Sequence, residues 1–342
     1  MKAVTLRRHG GPEVLELEDL PEPQAGPGQV RVHIARVAVN HVDIWVRKGM
    51  PHLKLHYPHL LGADIAGTLD QVGEGVTGLK VGDEIVVNPG HSCMRCRECL
   101  SGRDNLCRHY KLLGEDVPGG YAEKIVLPQV NVALRPREIG VDQAAAAPVV
   151  YMTAWQMLVR KARLEPGQDV LVMGAGSGVG TAAIQIAKLF GARVIAAASS
   201  QEKLDRARAL GADDVLLTDH PEFVREVKRL TNKRGADVVF EHVGKATWSN
   251  SILSAAWGGR VVTCGATTGF MAETDLRQIF FRQVEILGST MSPKGDLYRI
   301  LTHMAAGRLK PVVDRVLPLE QAAEAHRLIE ARAVFGKVVL KP

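Results

Sequence analysis

The chain of 342 residues has no run of about 18 consecutive apolar residues, the length that a membrane-spanning helix needs. Its first residues, MKAVTLRRHGGPEVLELED, also lack the apolar stretch of a secretory signal peptide. We therefore expect no membrane partner, no secretion and a cytoplasmic location. The hydrophobic content of 46% is ordinary for a globular protein, and the length predicts two domains.

The chain also lacks a large excess of either positive or negative charge. The 43 Lys and Arg residues barely outnumber the 37 Asp and Glu residues, and they are scattered among the acidic ones along the chain. A nucleic-acid-binding surface needs basic residues concentrated on one face. We therefore expect no nucleic-acid partner, and at most a local pocket for phosphate groups.

Cysteine is scarce and unevenly placed. Four of the five cysteines lie within GHSCMRCRECLSGRDNLC, namely Cys93, Cys96, Cys99 and Cys107. A disulfide framework would spread its cysteines through a small secreted chain, whereas thiols this close in sequence are good metal ligands. The pattern predicts a metal site. The fifth cysteine, Cys264, lies in the apolar segment GGRVVTCGA, and we expect it to be a buried strand residue.

Two different patterns divide the chain near Pro148. Before it, short apolar segments such as GQVRVHIARVAVN and GADIAGTLDQVG alternate with Gly and Pro, which predicts short strands in a barrel-like β region. After it, predicted strands alternate with predicted helices, and six such strands indicate a doubly wound parallel sheet. From about Ser292 onward follow a helix, a strand, a second helix and the strand GKVVLKP.

A glycine-rich turn opens the second region. GAGSGVG follows a predicted strand and precedes a predicted helix, which is the context in which such a turn binds a dinucleotide. Its backbone N–H groups would contact the pyrophosphate at Gly174, Gly176, Gly178, Val179 and Gly180. The turn is one residue longer than G-x-G-x-x-G, since Val179 stands where the third glycine is expected.

The acidic residue that binds the adenosine ribose in many such domains is missing. VIAAASSQEK places Ala198 at that position, at the end of the second strand. Without a carboxylate a 2′-phosphate is not repelled, and Ser199, Ser200 and Lys203 offer it two hydroxyls and an ammonium. We therefore expect NADPH to be preferred over NADH. The alternative is that Lys203 is simply a solvated residue of the helix.

These features together resemble the medium-chain dehydrogenase/reductase superfamily, nearly end to end. The most specific part is the cysteine segment VVNPGHSCMRCRECLSGRDNLC, preceded by GVTGLKVGDEIVV. The resemblance implies an α/β fold with two domains. Residues 1–150 and 293–342 would form a GroES-like β-barrel catalytic domain with a zinc lobe at about 90–110. Residues 151–292 would form a Rossmann dinucleotide-binding domain with a doubly wound parallel six-stranded sheet.

The resemblance also implies roles for individual residues. The four cysteines would bind one structural zinc ion per chain, in a closed site that leaves no position for a substrate. His41 would contact the cofactor pyrophosphate. Four residues would lie near the nicotinamide: Thr153, Val243, Gly265 and Ala266.

The ligands of the catalytic zinc in alcohol dehydrogenases are absent from the matching positions. Asn40 stands in the cysteine position, Ala63 in the histidine position and Val149 near the third ligand. The hydroxyl and histidine of the proton relay are replaced by Val42 and Trp45. The segment VNHVDIWVRKG, which we interpret as an active-site strand, instead resembles the zinc-independent quinone oxidoreductases and enoyl reductases of the superfamily.

These absences favour an NAD(P)H-dependent oxidoreductase that reduces a small quinone or enone without catalytic zinc. Asn40, Asp43 and Trp45 would line the substrate cleft between the domains, and Asn40 and Trp45 would donate hydrogen bonds to the reduced substrate. Tyr151, His41 and water are candidate proton donors. We expect the chain to form a homodimer or homotetramer.

Two other functions stay open. The first is an alcohol dehydrogenase with a rebuilt zinc site, for which the first domain offers several ligands: His41, Asp43, His52, His56, His59, Asp64 and His91. The second is a non-enzymatic protein that binds the cofactor without turnover.

Overall fold

The structure is a computed structural model that describes residues 1–51 and 53–342. The described residues fall into two compact units, Met1–Val149 with Ser292–Pro342 and Val150–Met291. In these described ranges no helix combines the length and the apolar character needed to cross a membrane.

The strands of the described residues are numbered in chain order: β1 (Lys2–Leu6), β2 (Leu15–Asp19), β3 (Gln29–Ala38), β4 (His59–Leu60), β5 (Asp64–Val72), β6 (Glu84–Val87), β7 (Gly90–His91), β8 (Lys111–Leu112), β9 (Lys124–Pro128), β10 (Val132–Leu134), β11 (Asp169–Val172), β12 (Arg193–Ala198), β13 (Asp214–Leu217), β14 (Ala236–Glu241), β15 (Ala255–Thr263), β16 (Glu285–Gly288), β17 (Val313–Pro318) and β18 (Lys337–Lys341).

The α-helices are numbered in the same way: α1 (His41–Lys48), α2 (Arg97–Leu100), α3 (Val141–Ala145), α4 (Pro148–Trp155), α5 (Gly178–Leu189), α6 (Gln201–Ala209), α7 (Phe223–Leu230), α8 (Trp248–Ser254), α9 (Leu276–Phe280), α10 (Gly295–Ala305) and α11 (Ala322–Glu330). A π-helical segment, Gln156–Lys161, follows α4 directly. Short 3₁₀ turns complete the list: Pro12–Val14, Asp104–Leu106, Gln129–Asn131 and Leu319–Gln321.

The first unit is built on a β-sheet whose neighbours run β10-β6-β5-β3-β18-β17, with β9 also paired to β3. Val30, Val32 and Ile34 alternate inward along β3, which is the period expected for a strand with one buried face. The last strand, β18, pairs antiparallel with β3, so that Val339 lies opposite Ala38. The chain therefore returns to the first unit at its end.

The segment after β3 is a helix, and our interpretation of VNHVDIWVRKG as a strand is wrong. Helix α1 begins directly after Asn40. The Asp43 carboxylate accepts a hydrogen bond of 2.7 Å from the Asn40 backbone N–H. An Asn followed three residues later by an acidic side chain stabilises a helix N-terminus in this way, and Ile44 and Val46 are buried in the helix.

The second unit contains the parallel sheet expected from the alternating pattern. Its six strands, all within the described residues, have the order β13-β12-β11-β14-β15-β16. The order reverses between β11 and β14, which are neighbours and parallel. Ligands of such sheets bind outside the carboxyl ends of the strands at this reversal. The predicted Rossmann fold is confirmed.

Helix α11 packs on the rest of the first unit through a buried histidine. Both His326 and Tyr121 are fully buried, and the Nε2 atom of His326 lies 3.0 Å from the Tyr121 hydroxyl oxygen. Burial lowers the pKa of His326 to about 3, and the nearby charge of Arg47 acts in the same direction. His326 is therefore neutral in the folded protein at neutral pH.

This histidine predicts a loss of stability in acid. In the unfolded chain a histidine binds a proton below about pH 6.5, whereas folded His326 stays neutral down to about pH 3, so falling pH favours unfolding. Between about pH 6.5 and 5 the expected loss is about 2 kcal/mol. Urea unfolding at both pH values should show a smaller loss in His326→Gln, whereas the exposed control His33→Gln should match the parent. An identical pH dependence of the parent and His326→Gln would contradict this assignment.

Candidate functional site

The glycine-rich turn lies between β11 and α5, as predicted, and two of its positions, 174 and 180, have no room for a side chain. Gly174 has a φ of +60°, and a Cβ atom there would lie 2.8 Å from Cε1 of His242. A Cβ atom on Gly180 would lie 2.5 Å from the Gly174 carbonyl oxygen. Gly180 is thus the glycine of close approach, which explains why the turn is one residue longer than expected. Gly178 and Val179 form the first turn of α5, and Gly176 precedes them.

Ser177 and His242 support this turn, and neither was expected from the sequence. Ser177 caps α5, since its Oγ accepts a hydrogen bond of 2.9 Å from the Gly180 N–H. The same Oγ lies 3.3 Å from Nε2 of His242, which follows β14. Burial lowers the pKa of His242 and so favours the neutral ring, which accepts a hydrogen bond from the Ser177 hydroxyl in the tautomer that leaves Nε2 without a proton. The one sequence signal for this contact was that His242 is a polar residue directly after β14, the strand that pairs with β11.

The loops after β14 and β15 meet at the same edge of the sheet. The Val243 carbonyl accepts a hydrogen bond of 2.7 Å from the Thr268 hydroxyl. A Cβ atom on Gly244 would lie 2.7 Å from Cα of Ala266, and Gly265 precedes Ala266 in that loop. Thr153, in α4, contacts Met291 instead, at 3.8 Å from its sulfur. The structure therefore brings the predicted glycine turn, Val243 and the second loop together at the carboxyl ends of neighbouring strands.

The residues expected at the adenosine follow β12 at the same edge. Ala198 ends the strand and is buried, and Ser199 is exposed. Ser200 caps α6, with its Oγ 3.4 Å from the backbone nitrogen of Lys203. The edge thus presents a helix N-terminus, a hydroxyl-rich loop and a lysine. Position 198 carries no acidic side chain. This arrangement and the glycine turn fit a dinucleotide with its pyrophosphate at α5.

The first unit contains a buried polar cluster of Asn40, Asp64 and Lys337, which we call the Lys337 cluster. The exposed fractions of the three residues are 6%, 0% and 4%. The Lys337 ammonium donates hydrogen bonds to Oδ1 of Asn40 and to Oδ2 of Asp64, the latter at 3.0 Å. The Asn40 amide donates to the same Asp64 oxygen at 2.9 Å. Both ends of the Asn40 side chain are therefore bound within the protein.

The Lys337 cluster joins the positions at which the resemblance places ligands of a catalytic zinc. Asn40 and Ala63 stand at two of them, and Asp64 is the neighbour of Ala63. The second oxygen of Asp64 accepts a hydrogen bond of 2.7 Å from the backbone of Val149, near the third position. Sequence reasoning missed Lys337, for which the one signal was a lysine at the start of the apolar strand GKVVLKP.

Asp43 lies beside this cluster and is bound by the backbone. Its two oxygens accept hydrogen bonds from the N–H groups of Asn40, at 2.7 Å, and Gly62, at 2.9 Å. Burial raises the pKa of Asp43 to about 6, although both N–H groups favour the charged form. The side chain is fully buried. In this structure Asp43 positions the start of α1 and the Gly62 turn.

The other predicted residues of the substrate cleft have different surroundings. Trp45 is half-buried in α1, and its ring makes an edge contact with the exposed His41 ring at a centroid distance of 5.6 Å. Tyr151 is buried, and burial raises the pKa of its hydroxyl far above the ordinary value. A hydroxyl in this state releases its proton poorly, so of the two candidate side chains, Tyr151 and His41, Tyr151 is the weaker proton donor.

The ligands suggested for a rebuilt zinc site do not converge. Asp43 and Asp64 are bound as described, and Nε2 of buried His59 lies 3.1 Å from the Gly114 carbonyl oxygen. Within residues 1–51 and 53–342, the four cysteines form the one group of three or more His, Cys, Asp or Glu ligands that meet. His52 lies outside the described residues, and His56 and His91 belong to no such group.

The four cysteines fit a zinc ion. All four sulfur atoms lie within 4.8 Å of one another. The Cys93–Cys99 distance is 3.9 Å and the Cys96–Cys99 distance is 3.5 Å. Four sulfurs about 2.3 Å from a tetrahedral zinc lie about 3.8 Å apart. Backbone N–H groups of Arg95 and Cys96 lower the pKa of Cys93 to about 6, whereas burial raises the pKa of Cys99 to about 11. Cys264 lies outside the cluster, in a bend directly after β15, and is half-buried, so the expectation of a buried strand residue is wrong. Desolvation of the thiol raises its pKa to about 12.

Two family models match the chain. The model of the alcohol dehydrogenase GroES-like domain matches residues 26–137, and the model of the zinc-binding dehydrogenases matches residues 178–306. An NAD-dependent alcohol dehydrogenase of Sulfolobus acidocaldarius is 33% identical over 100% of this chain and 99% of its own length. The chain belongs to the medium-chain dehydrogenase/reductase superfamily.

Other members of the superfamily carry different names. An acryloyl-coenzyme A reductase of Sulfurisphaera tokodaii is 29% identical over the full length of both chains, and a quinone oxidoreductase of Sus scrofa is 29% identical over 99% of this chain and 97% of its own. A crystal structure of an NAD-dependent alcohol dehydrogenase is 54% identical, with a TM-score of 0.97 and complete coverage of both chains. This chain is an NAD(P)-dependent oxidoreductase, and the non-enzymatic alternative is set aside.

The cysteine geometry predicts the metal content. Purified protein should contain one zinc per chain, and Cys93→Ser should lose that zinc and unfold at a lower temperature, because a structural zinc contributes to folding. Cys264→Ser is the matched control and should keep both zinc and stability. Elemental analysis and thermal unfolding provide the measurements. Full zinc retention in Cys93→Ser, or two firmly held zinc ions in the parent, would argue against a single four-cysteine site.

Proposed function

We propose that this protein reduces quinones or enones with NAD(P)H and without a catalytic zinc ion. One observation carries the proposal. The buried Lys337 ammonium is bound to Asn40, which stands at one of the positions that correspond to zinc ligands in alcohol dehydrogenases, and to Asp64, the neighbour of Ala63 at a second. An ammonium and a metal ion compete for the same carboxylate, and neither Ala63 nor the Val149 side chain can ligate a metal.

The chemistry of such acceptors suits a site of this kind. When bound, the nicotinamide ring supplies a hydride. A quinone or enone accepts hydride at an electron-poor carbon, and the negative charge moves to its oxygen, where hydrogen-bond donors and one proton complete the reduction. Oxidation of a simple alcohol first requires loss of the hydroxyl proton, a step that a zinc ion promotes. The exposed His41 at the start of α1 is our candidate to exchange the proton with solvent.

The names of relatives include both candidate activities, the reduction of quinones or enones and the oxidation of alcohols. An acryloyl-coenzyme A reductase and a quinone oxidoreductase at 29% identity reduce substrates of the proposed kind, according to their names. The alcohol dehydrogenase at 33% identity favours alcohol oxidation as a second candidate. The Lys337 cluster is the physical reason for which we prefer the reductase.

Substrate panels distinguish the two candidates. We expect oxidation of NADPH or NADH by quinones and enones to be faster than reduction of NADP or NAD by ethanol, butanol or benzyl alcohol under matched conditions. A chelator that leaves the cysteine-bound zinc in place, as checked by elemental analysis, should not change the quinone or enone rate. Strong alcohol turnover that disappears with such a chelator would favour the zinc-dependent alcohol dehydrogenase.

We further propose that NADPH is preferred over NADH. Ala198 provides no carboxylate for a ribose diol, while Ser199, Ser200 and Lys203 follow β12 at the edge where the dinucleotide fits. A 2′-phosphate there would receive hydrogen bonds from hydroxyls and from an ammonium. Charge-assisted bonds of this type are about twice as strong as neutral ones.

Variants at the end of β12 test this preference. Lys203→Ala should weaken NADPH binding by about 10-fold to 100-fold and leave NADH binding nearly unchanged, because it removes one charge-assisted contact. Lys228→Ala, in the last turn of α7, removes the same charge elsewhere in the unit and should change neither affinity. Ala198→Asp should move the preference towards NADH. Dissociation constants from fluorescence titration decide the matter, and equal losses for both cofactors in Lys203→Ala would refute the assignment.

The homodimer or homotetramer stays a prediction. Large apolar side chains are exposed on and near the edge strand β16, including Phe280 and Phe281, with exposed fractions of 60% and 63%, and Ile286. A strand at the edge of a sheet with apolar neighbours is a surface that associates readily. We propose that a second copy of the chain covers it, which light scattering on purified protein would establish.

A further inference from the structure

The last residue of β14, Glu241, is an acidic residue that is fully buried in the second unit. An acidic side chain is almost never fully buried unless it has partners. The partners of Glu241 are two backbone N–H groups and two hydroxyls, all of which donate hydrogen bonds to its carboxylate. A carboxylate has about four acceptor sites, so these neutral donors satisfy its hydrogen-bonding capacity.

The two carboxylate oxygens bind different segments. Oε1 accepts hydrogen bonds from the backbone N–H groups of Val243 and of Gly244, the latter at 3.0 Å. Oε2 accepts hydrogen bonds from the hydroxyls of Thr247, at 2.9 Å, and of Ser251 in α8. Glu241 therefore fixes the loop that leaves β14 through one oxygen and the start of α8 through the other.

The loop bound by Oε1 borders the glycine turn. A Cβ atom on Gly174 would lie 3.2 Å from Cγ2 of Val243, whose side chain is half-buried. The Val243 carbonyl accepts hydrogen bonds from the backbone N–H and the hydroxyl of Thr268, at 2.8 Å and 2.7 Å. The position of Val243 beside the glycine turn thus depends on Glu241 at its N–H and on Thr268 at its carbonyl.

This loop also lies where the second half of a dinucleotide would extend. The sheet order reverses between β11 and β14, and a dinucleotide binds across such a reversal, with one mononucleotide on each side. The adenosine fits at the end of β12, and the pyrophosphate fits at the N-terminus of α5. The nicotinamide half would therefore extend to the side of β14, where Val243 offers an apolar, half-buried surface.

We propose that Glu241 is a positioning residue for the nicotinamide half of the cofactor. Its Oε1 holds the backbone of Val243 and Gly244 in the conformation that places the Val243 side chain against this half. Glu241 itself is buried beneath the loop and exchanges no proton in the reaction. The proposal goes beyond the proposed function, and it applies to quinones, enones and alcohols alike, because each of them exchanges a hydride with the same ring.

A purely structural role is the alternative. Glu241 would then only join β14 to α8, and its loss would lower stability and weaken every ligand of the second unit alike. The two oxygens separate these roles, because Oε1 binds the loop whereas Oε2 binds Thr247 and Ser251.

Four variants test the proposal. Glu241→Met keeps the length of the side chain but offers only a weak acceptor, and Glu241→Asp keeps the carboxylate but shortens the side chain. Glu241→Gln keeps an acceptor oxygen for the two N–H groups, and its amide can donate to the two hydroxyl oxygens. Ser251→Ala is the matched control, since it removes one hydrogen bond of Oε2 and leaves the bonds of Oε1.

Each variant is compared in two binding measurements. The dissociation constant of NADH is measured by fluorescence titration, and that of ADP, which lacks the nicotinamide half, by competition with NADH. Thermal unfolding reports the stability of each variant, and kcat with the best substrate of the parent reports hydride transfer.

We expect Glu241→Met and Glu241→Asp to weaken NADH binding by about 10-fold and ADP binding by less than about twofold, because N–H groups without an acceptor release the loop but not the glycine turn. The kcat of both variants should also fall. Glu241→Gln should recover most of the NADH affinity. Ser251→Ala should unfold at a lower temperature and keep the parent's ratio of the ADP and NADH dissociation constants.

Three results would overturn the proposal. The first is equal weakening of NADH and ADP binding in the folded variants, because Glu241 would then act on the whole unit. The second is NADH binding like that of the parent in folded Glu241→Met or Glu241→Asp. The third is failure of both of these variants to fold, because Glu241 would then serve folding; if one of them folds, that variant decides.

Discussion

The buried ion pair between Lys337 and Asp64 is the interaction on which the first unit depends. It joins the last strand of the chain to β5, and through Asn40 and Val149 it also fixes the start of α1 and the start of α4. Removing one partner of a buried pair leaves an uncompensated charge, at a cost of about 3–5 kcal/mol. The pair therefore constrains which residues can occupy this site.

The second unit depends on a different constraint, the close approach of backbone segments at one edge of a parallel sheet. Gly174 and Gly180 leave no room for a Cβ atom, and His242 packs against the turn from the neighbouring strand. The helix N-terminus behind the turn then presents unpaired N–H groups to an anion. Binding of a dinucleotide thus follows from steric conditions that glycine alone satisfies, together with the dipole of α5.

The cysteine lobe brings together four sulfur atoms that could hold one metal ion. A zinc ion bound by all four would have no open position for a substrate. The lobe is attached to the rest of the first unit by buried Asp104, which accepts a hydrogen bond of 2.9 Å from the backbone of Lys294, and by the Lys294 ammonium on the Gly90 carbonyl. These contacts and the Lys337 cluster lie in one unit, and the cysteine group fits a metal ion whereas the Lys337 cluster holds an internal ammonium.

The sequence by itself determined what local patterns encode. The alternating strands and helices predicted the parallel sheet, GAGSGVG predicted the turn before α5, and the cysteine spacing predicted a group of four sulfurs that now lie within 4.8 Å. Helix α1 was missed, although Asn40 and Asp43 carry the capping signal of a helix N-terminus. Only the tertiary structure decided that Lys337 meets Asp64 and that His242 meets Ser177. Those pairs are 273 and 65 residues apart, and contacts of that kind follow from strand pairing rather than from any neighbouring residues.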